Sequence, residues 1–449
     1  MNYQEFKSAV VKYAAEYNVN DYELYYSKSD ETSIEIFMTE VKGFNSANNM
    51  GICFRCVIDG QTGYASTENM TEEEAVSIVT RAIENAKSLE SEAPSFIHKL
   101  GDTYTTVEKE ETTTPAASEL VDFALDLQKE IYAQDKRVID GTQAVAGFGS
   151  SEKAIFNSNG IDLVNSASFD YCYAMAIVSD GTDMYDGMEI ASGKMSDFDK
   201  TEIAKEAVKD AVDTIGHTSV PSGEYTVVLS NKVMASLLST YSSVFSAEAA
   251  QKGLSLLKDK EGEIVAADII TITDDPIYKD ALEKATFDDE GAATYAKNVI
   301  ENGKFTTFLH NLATAAKAGV KTTGNGFKAS YASPVGVNHY SFYINPVKGS
   351  LEDLFAEAGN GIYITSVEGM HAGANPITGD FSLSSGGFKI ENGKKGGPIK
   401  GITISGNFLQ LLKSISSVGE DLKFNPFALS AHRCGSPSVL VKGMSVAGE

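Results

Sequence analysis

Apolar and polar positions alternate differently in the two parts of the chain. Near the start, Phe6, Val10, Tyr13 and Tyr17 recur at helical spacing and predict an amphipathic helix. Strand patterns follow at residues 22–27 and 33–38, with a hairpin-like pair at 52–58 and 63–66. Thr71-Glu72-Glu73-Glu74 is a capping box that opens a helix running to about residue 89. Residues 91–113 are polar and threonine-rich and predict an irregular excursion. Thr114-Pro115 starts the next helix, with Leu120, Phe123, Leu127 and Ile131 on one face. From 137 to about 191 the pattern turns to β: residues 154–156 and 161–164 flank the hairpin pair Asn159-Gly160, and 169–178 can span a sheet. Asp199 caps a helix carrying Ile203, Ala207, Ala211 and Ile215.

Residues 216–223, rich in glycine, serine and proline, are the strongest linker signal and divide the chain into domains at 1–216 and 223–449. The second part opens with a strand at 225–229 and a helix capped by Ser230, with Val233, Leu237, Tyr241 and Val244 inward. A helical pattern continues over about 246–258. Beyond it, short strands alternate with glycine turns, broken by helices near 351–358 and 407–415. Residues 369–407 hold too much glycine for a long helix; their apolar pairs between glycine turns predict a β-ribbon along a cleft. The expected fold class is α+β, with an N-terminal α/β layered domain and a C-terminal β-rich domain carrying a few helices.

Charge narrows the function classes. Sixty-two acids against 37 bases give a net charge of −25. Nucleic-acid binding requires a basic face, so none is expected. No run approaches the roughly 18 apolar residues of a membrane-spanning helix, and the N-terminus lacks the apolar core of a signal peptide. The expected location is cytoplasmic. Four cysteines, at 53, 56, 172 and 434, make no disulfide framework. Cys53 and Cys56 form C-x-x-C inside a strand pattern, which points them to opposite faces as core residues rather than as a metal or redox pair.

Self-contained catalytic motifs are missing. The sequence holds no P-loop, no G-x-G-x-x-G after a strand, no G-x-S-x-G and no H-E-x-x-H. Its six histidines are scattered at 98, 217, 310, 339, 371 and 432. Asp274-Asp275-Pro276 and Asp288-Asp289-Glu290 read as solvated acidic turns, with a hard-cation site as the alternative. Cys434, in His432-Arg433-Cys434, reads as a buried or turn thiol.

The glycine-rich passage, above all Thr378-Gly379-Asp380-Phe381-Ser382 and Ile390-Glu391-Asn392-Gly393, closely resembles the C-terminal signature of the TldD/PmbA (TldD/TldE) family. Segments 51–67, Phe287-Asp288-Asp289-Glu290-Gly291 and Asn302-Gly303-Lys304 are similar to other family motifs. The resemblance implies a zinc peptidase whose metal-bearing members carry a helical H-E-x-x-x-H and a C-terminal cysteine ligand. The corresponding stretch here is Ala247-Glu248-Ala249-Ala250-Gln251-Lys252, with both histidines replaced. The chain therefore resembles the PmbA/TldE branch that lacks the zinc motif. What this implies is a subunit with no cofactor of its own, paired with a zinc-bearing TldD-like subunit or with itself and acting on unfolded peptides. Glu248 is then the remnant of the zinc helix, and His371, Asp380, Phe381 and Ser382 are the expected substrate-cleft residues. The alternative is a non-enzymatic homodimeric peptide-binding or regulatory scaffold of the gyrase-modulator type, acting through proteins. A third reading, a metal-independent hydrolase, would use His371 or Cys434.

Overall fold

The computed structural model describes residues 1–88, 96–108, 113–425 and 431–449. In its first part, helix α1 (Tyr3–Glu16) leads to strands β1 (Asp21–Phe37), β2 (Glu40–Ile58) and β3 (Gln61–Thr67). Helices α2 (Glu72–Ser88) and α3 (Ala117–Gln134) follow, then strands β4 (Gln143–Asn157), β5 (Asp162–Ser179) and β6 (Met184–Gly193), and helix α4 (Lys200–Val212). The strands form one antiparallel sheet in the order β3-β2-β1-β4-β5-β6. All four helices cover the same face. Phe6, Val10, Ile78 and Ala82 pack on Leu24, Tyr26 and Phe54; Leu120 and Ala124 pack on Ile34 and Ile36; Ala204 and Ala207 pack on Cys172 and Ala174.

The patterns at 22–27 and 33–38 belong to a single strand. The polar run between them, Lys28 to Thr32, is paired on both sides, to β2 and to β4, so backbone hydrogen bonds carry the strand where apolar alternation fails. Cys53 and Cys56 are both buried and enter different cores, on opposite faces of β2. Part of the expected excursion at 91–113 lies outside the described residues.

The second part runs through β7 (Gly223–Leu229), α5 (Asn231–Tyr241), α6 (Ala247–Gln251), β8 (Ile272–Asp275), β9 (Lys297–Glu301), β10 (Lys304–Phe305), α7 (Leu312–Ala318), β11 (Gly326–Lys328) and β12 (Val335–Val337). It continues with β13 (Ser341–Ile344), α8 (Leu351–Ala358), β14 (Gly361–Glu368), α9 (Met370–Gly373), β15 (Asp380–Glu391), β16 (Lys394–Asn407), α10 (Phe408–Ser414), β17 (Ile415–Val418), β18 (Lys423–Phe424), β19 (Arg433–Ser436) and β20 (Val439–Ala447). One sheet has the order β10-β9-β8-β13-β19-β18. The other is β16-β15-β14-β7-β20-β17, and β20 also pairs with β16, which closes five strands into a barrel. Helix α5 touches both β14 of the barrel and β19 of the sheet, and Tyr241, Phe245, Phe342 and Phe408 belong to the common core. The glycine-rich passage forms the long β15–β16 hairpin, turning at Asn392-Gly393, where both residues have positive φ. The helical pattern over 246–258 yields only the five-residue α6, which stops before Gly253 at φ 74°.

The acidic turns are buried, contrary to the solvated reading. Asp274, Asp288, Asp289 and Glu290 are each at most 5% exposed. Backbone N–H groups, the buried Lys297 and the partly exposed Lys153 hold them there. Asp288 accepts from the backbone N–H groups of Glu290, Ala292 and Gly326. Lys297 meets Asp274 at 3.0 Å, and Lys153 meets Asp289 at 3.4 Å. This loop is where the two parts join. Arg55 of β2 bonds Glu23 at 3.0 Å and faces Glu290 at 3.7 Å, while Tyr25, Cys53 and Ile155 pack with Phe287 on the helix-free face of the first sheet.

Candidate functional site

Ser246 accepts a hydrogen bond from the Ala249 N–H and starts α6, so Ala247 and Glu248 stand in its first turn. Ala247 turns its methyl into the core, 1% exposed. Glu248 points outward and Lys252, one turn on, bonds its Oε1 at 2.6 Å. This pair borders a cleft of about 320 Å³. Ser242, Ser243 and Ser246 give the cleft hydroxyls, Ala249, Leu254, Leu309 and Val337 give it apolar surface, and Asn338 and His339 complete its lining. A cleft with hydroxyl, amide, carboxylate and ammonium groups over apolar walls can hold a peptide by its backbone and one side chain.

His339 also forms a buried pair with Cys434, which lies behind the cleft wall. His339 Nδ1 is 2.7 Å from the Tyr340 carbonyl, so Nδ1 carries the proton and donates it there. Nε2 is left as the acceptor for the Cys434 thiol, 3.5 Å away. Burial lowers the His339 pKa, and burial pushes the Cys434 thiol up. The pair is thus a neutral thiol on a neutral imidazole, with Cys434 only 1% exposed. Cys434 is the buried thiol expected from sequence.

Of the expected site residues, Glu248 borders the cleft. The other four are not among its lining residues. His371 stands exposed on α9. Asp380 is exposed at the start of β15, and the Asn407 and Thr378 side chains hold its carboxyl below the usual carboxylate range. The period-two alternation of β15 turns Phe381 inward, 4% exposed in the core, and Ser382 outward. A core position is the correction for Phe381, since its ring has no free surface to offer a substrate. Sequence reasoning missed Asn338, His339 and the serines. The serines had a visible signal, a run at 236, 239, 242, 243 and 246 at near-helical spacing. His339 had none, because its position depends on the β13–β19 pairing of distant segments.

Family models match three consecutive stretches: PmbA/TldA metallopeptidase domain 1 over residues 22–86, the central domain over 110–215 and the C-terminal domain over 222–448. The chain belongs to the PmbA/TldD family. Within this PmbA/TldD chain, domain 1 supplies β1–β3 and α2, the central domain supplies α3, β4–β6 and α4, and the β1–β4 pair joins them in one sheet. The C-terminal domain holds the cleft. A metalloprotease PmbA homolog of Haemophilus influenzae is 24% identical, over 94% of this chain and 91% of its own length. A crystal structure of a Thermotoga maritima protein, described as a candidate modulator of a DNA gyrase, is 32% identical with a TM-score of 0.90, covering 99% of this chain and all of that one. The crystal structure of TldE from Thermococcus kodakarensis has a TM-score of 0.89 at 23% identity, over the same shares of the two chains, and shares the fold. Among the described residues, no helix is long and apolar enough to cross a membrane.

Proposed function

We propose that this chain is the zinc-free, peptide-binding subunit of a TldD/TldE-type metallopeptidase assembly that acts on unfolded peptides. The Glu248–Lys252 pair carries this reading. In the register of the H-E-x-x-x-H motif, the two imidazole positions hold Ala247 and Lys252. A methyl group offers no lone pair. An ammonium already paired to Glu248 at 2.6 Å repels a divalent cation and neutralises the carboxylate beside it. Cys434 remains, but its thiol is bonded to His339, and burial opposes the thiolate that zinc needs. Among the described residues, no three histidine, cysteine, aspartate or glutamate side chains converge as a metal set. These residues do not fit zinc, and no catalytic step is assigned to this chain.

The cleft then binds and orients peptide while a zinc-bearing TldD-like subunit cleaves it. Co-expression with a homologous chain bearing H-E-x-x-x-H tests the division of labour. The pair should co-purify and hydrolyse an unfolded protein such as casein in a chelator-sensitive way, and the isolated chain should not. Chelator-sensitive hydrolysis by the isolated chain would overturn it. The scaffold alternative predicts self-association only, with no recovery of a zinc-bearing homologue.

A further inference from the structure

Cys53 is buried, as its strand pattern predicts, but its thiol has a chemical neighbour. The Lys328 Nζ lies 3.9 Å from the Cys53 Sγ. Cys53 stands on β2 of the first part and Lys328 on β11 of the second, 275 residues further along the chain. The two residues are 2% and 6% exposed. Among the described residues, Cys56, Cys172 and Cys434 have no such lysine.

The Lys328 ammonium meets no described carboxylate within ion-pair distance. It donates to the Ser333 carbonyl at 2.5 Å and lies 5.4 and 5.5 Å from the ring centroids of Tyr25 and Tyr64. Two rings and a carbonyl thus hold a cation beside the sulfur without a formal counter-charge. Two effects compete at the thiol: burial raises its pKa, while the charges of Lys328 and Arg55 lower it. Peroxides oxidise the thiolate, so reactivity grows toward about pH 9, where thiolate and free amine coexist. A sulfenic acid formed here cannot turn to Cys56, which enters the core on the opposite face of β2. Burial keeps external thiols out. The amine of Lys328, on a flexible four-carbon stem, is the nucleophile within reach.

We propose that Cys53 and Lys328 form an oxidation site, at which a peroxide cross-links the two parts of the chain through a sulfenamide. With hydrogen peroxide, the Cys53 sulfur takes one oxygen as the O–O bond breaks, giving a sulfenic acid and water. The Lys328 amine then attacks that sulfur. An S–N bond forms, the S–O bond breaks, and the departing hydroxyl leaves as water with one amine proton. Sulfur loses two electrons, one peroxide becomes two waters, and the chain ends lighter by two hydrogen atoms. Two equivalents of an external thiol reverse the link, leaving as their own disulfide. Strand β11 pairs with β12, whose Val337 lines the cleft, so the bond fastens one cleft wall to the first sheet.

Peptide mapping by mass spectrometry tests this on the full chain treated with hydrogen peroxide at about pH 9. Trypsin should yield peptide 43–55 joined to peptide 322–348, lighter than their sum by two hydrogens, and dithiothreitol should release both. Cys53→Ser should lose the link. So should Lys328→Arg, which keeps a cation among the rings but stays protonated. Peroxide should raise the Tm of the wild type by several degrees, because the link closes a loop of 275 residues. It should not raise the Tm of either variant. A wild type whose Cys53 stays a free thiol, or reaches sulfinic acid with Lys328 unmodified, overturns the proposal. A link that persists in Lys328→Arg overturns it as well.

Discussion

Arg55 and Glu290 meet across the junction of the two parts of the chain, each less than a tenth exposed. Removing one member of a buried ionic group strands the others in a medium that solvates them poorly. Arg55→Ala should therefore cost about 3–5 kcal/mol in unfolding free energy, read by urea titration at pH 7. Burial also holds His432 neutral. Its Nδ1 faces the His339 carbonyl, and desolvation lowers its pKa to about 4. The folded value lies below the unfolded one of ~6.5, so stability is fully present above ~6.5 and is lost as pH falls toward about 4. The loss from this residue reaches about 3 kcal/mol. The urea midpoint of the wild type should drop between pH 7 and pH 5, and the drop should be smaller in His432→Phe. His310 and His339, also lowered by burial, add in the same direction.

At the scale of elements, two glycines set the closest helix-to-sheet approaches in the first part. A methyl group on Gly63 would lie 1.9 Å from the Ala82 carbonyl oxygen of α2, and one on Gly187 would lie 2.2 Å from that of Ala207 in α4. Both helices present alanine stripes there. Gly63→Ala and Gly187→Ala should each destabilise by about 1–3 kcal/mol through overpacking, seen as a lower Tm. Gly397→Ala, with open space around it, is the control and should be neutral. The same elements show what the sequence makes legible. The stripes of α1 to α5, the Asp199 and Ser230 caps and the hairpin turns at Asn159-Gly160 and Asn392-Gly393 are local signals and appear where their residues place them, whereas the pattern over 246–258 ends early at Gly253. The length of β1 is not local, because pairing on both sides carries it through Lys28–Thr32. The burial of Asp288, Asp289 and Glu290 is not local either. It needs Arg55 and Lys153, more than a hundred residues away, to reach the same loop. The cleft divides in the same way: Glu248 is legible from its motif, whereas His339 enters only through a parallel strand pair.

For the whole molecule, the helix-covered sheet of the first part turns its uncovered face toward the second part, and the loop at 287–291 ties them together. The second part builds a barrel and a second sheet around α5, with the cleft on its flank. Under the proposed function, this division gives the chain a peptide-binding surface, and hydrolysis falls to a metal-bearing partner. The proposed function stands or falls with zinc at Ala247, Glu248 and Lys252. Metal analysis by plasma mass spectrometry of the purified full chain, saturated with zinc and then dialysed, tests it most directly. Zinc should come out far below one ion per chain. Stoichiometric zinc that survives dialysis in the wild type and is lost in Glu248→Ala would contradict it.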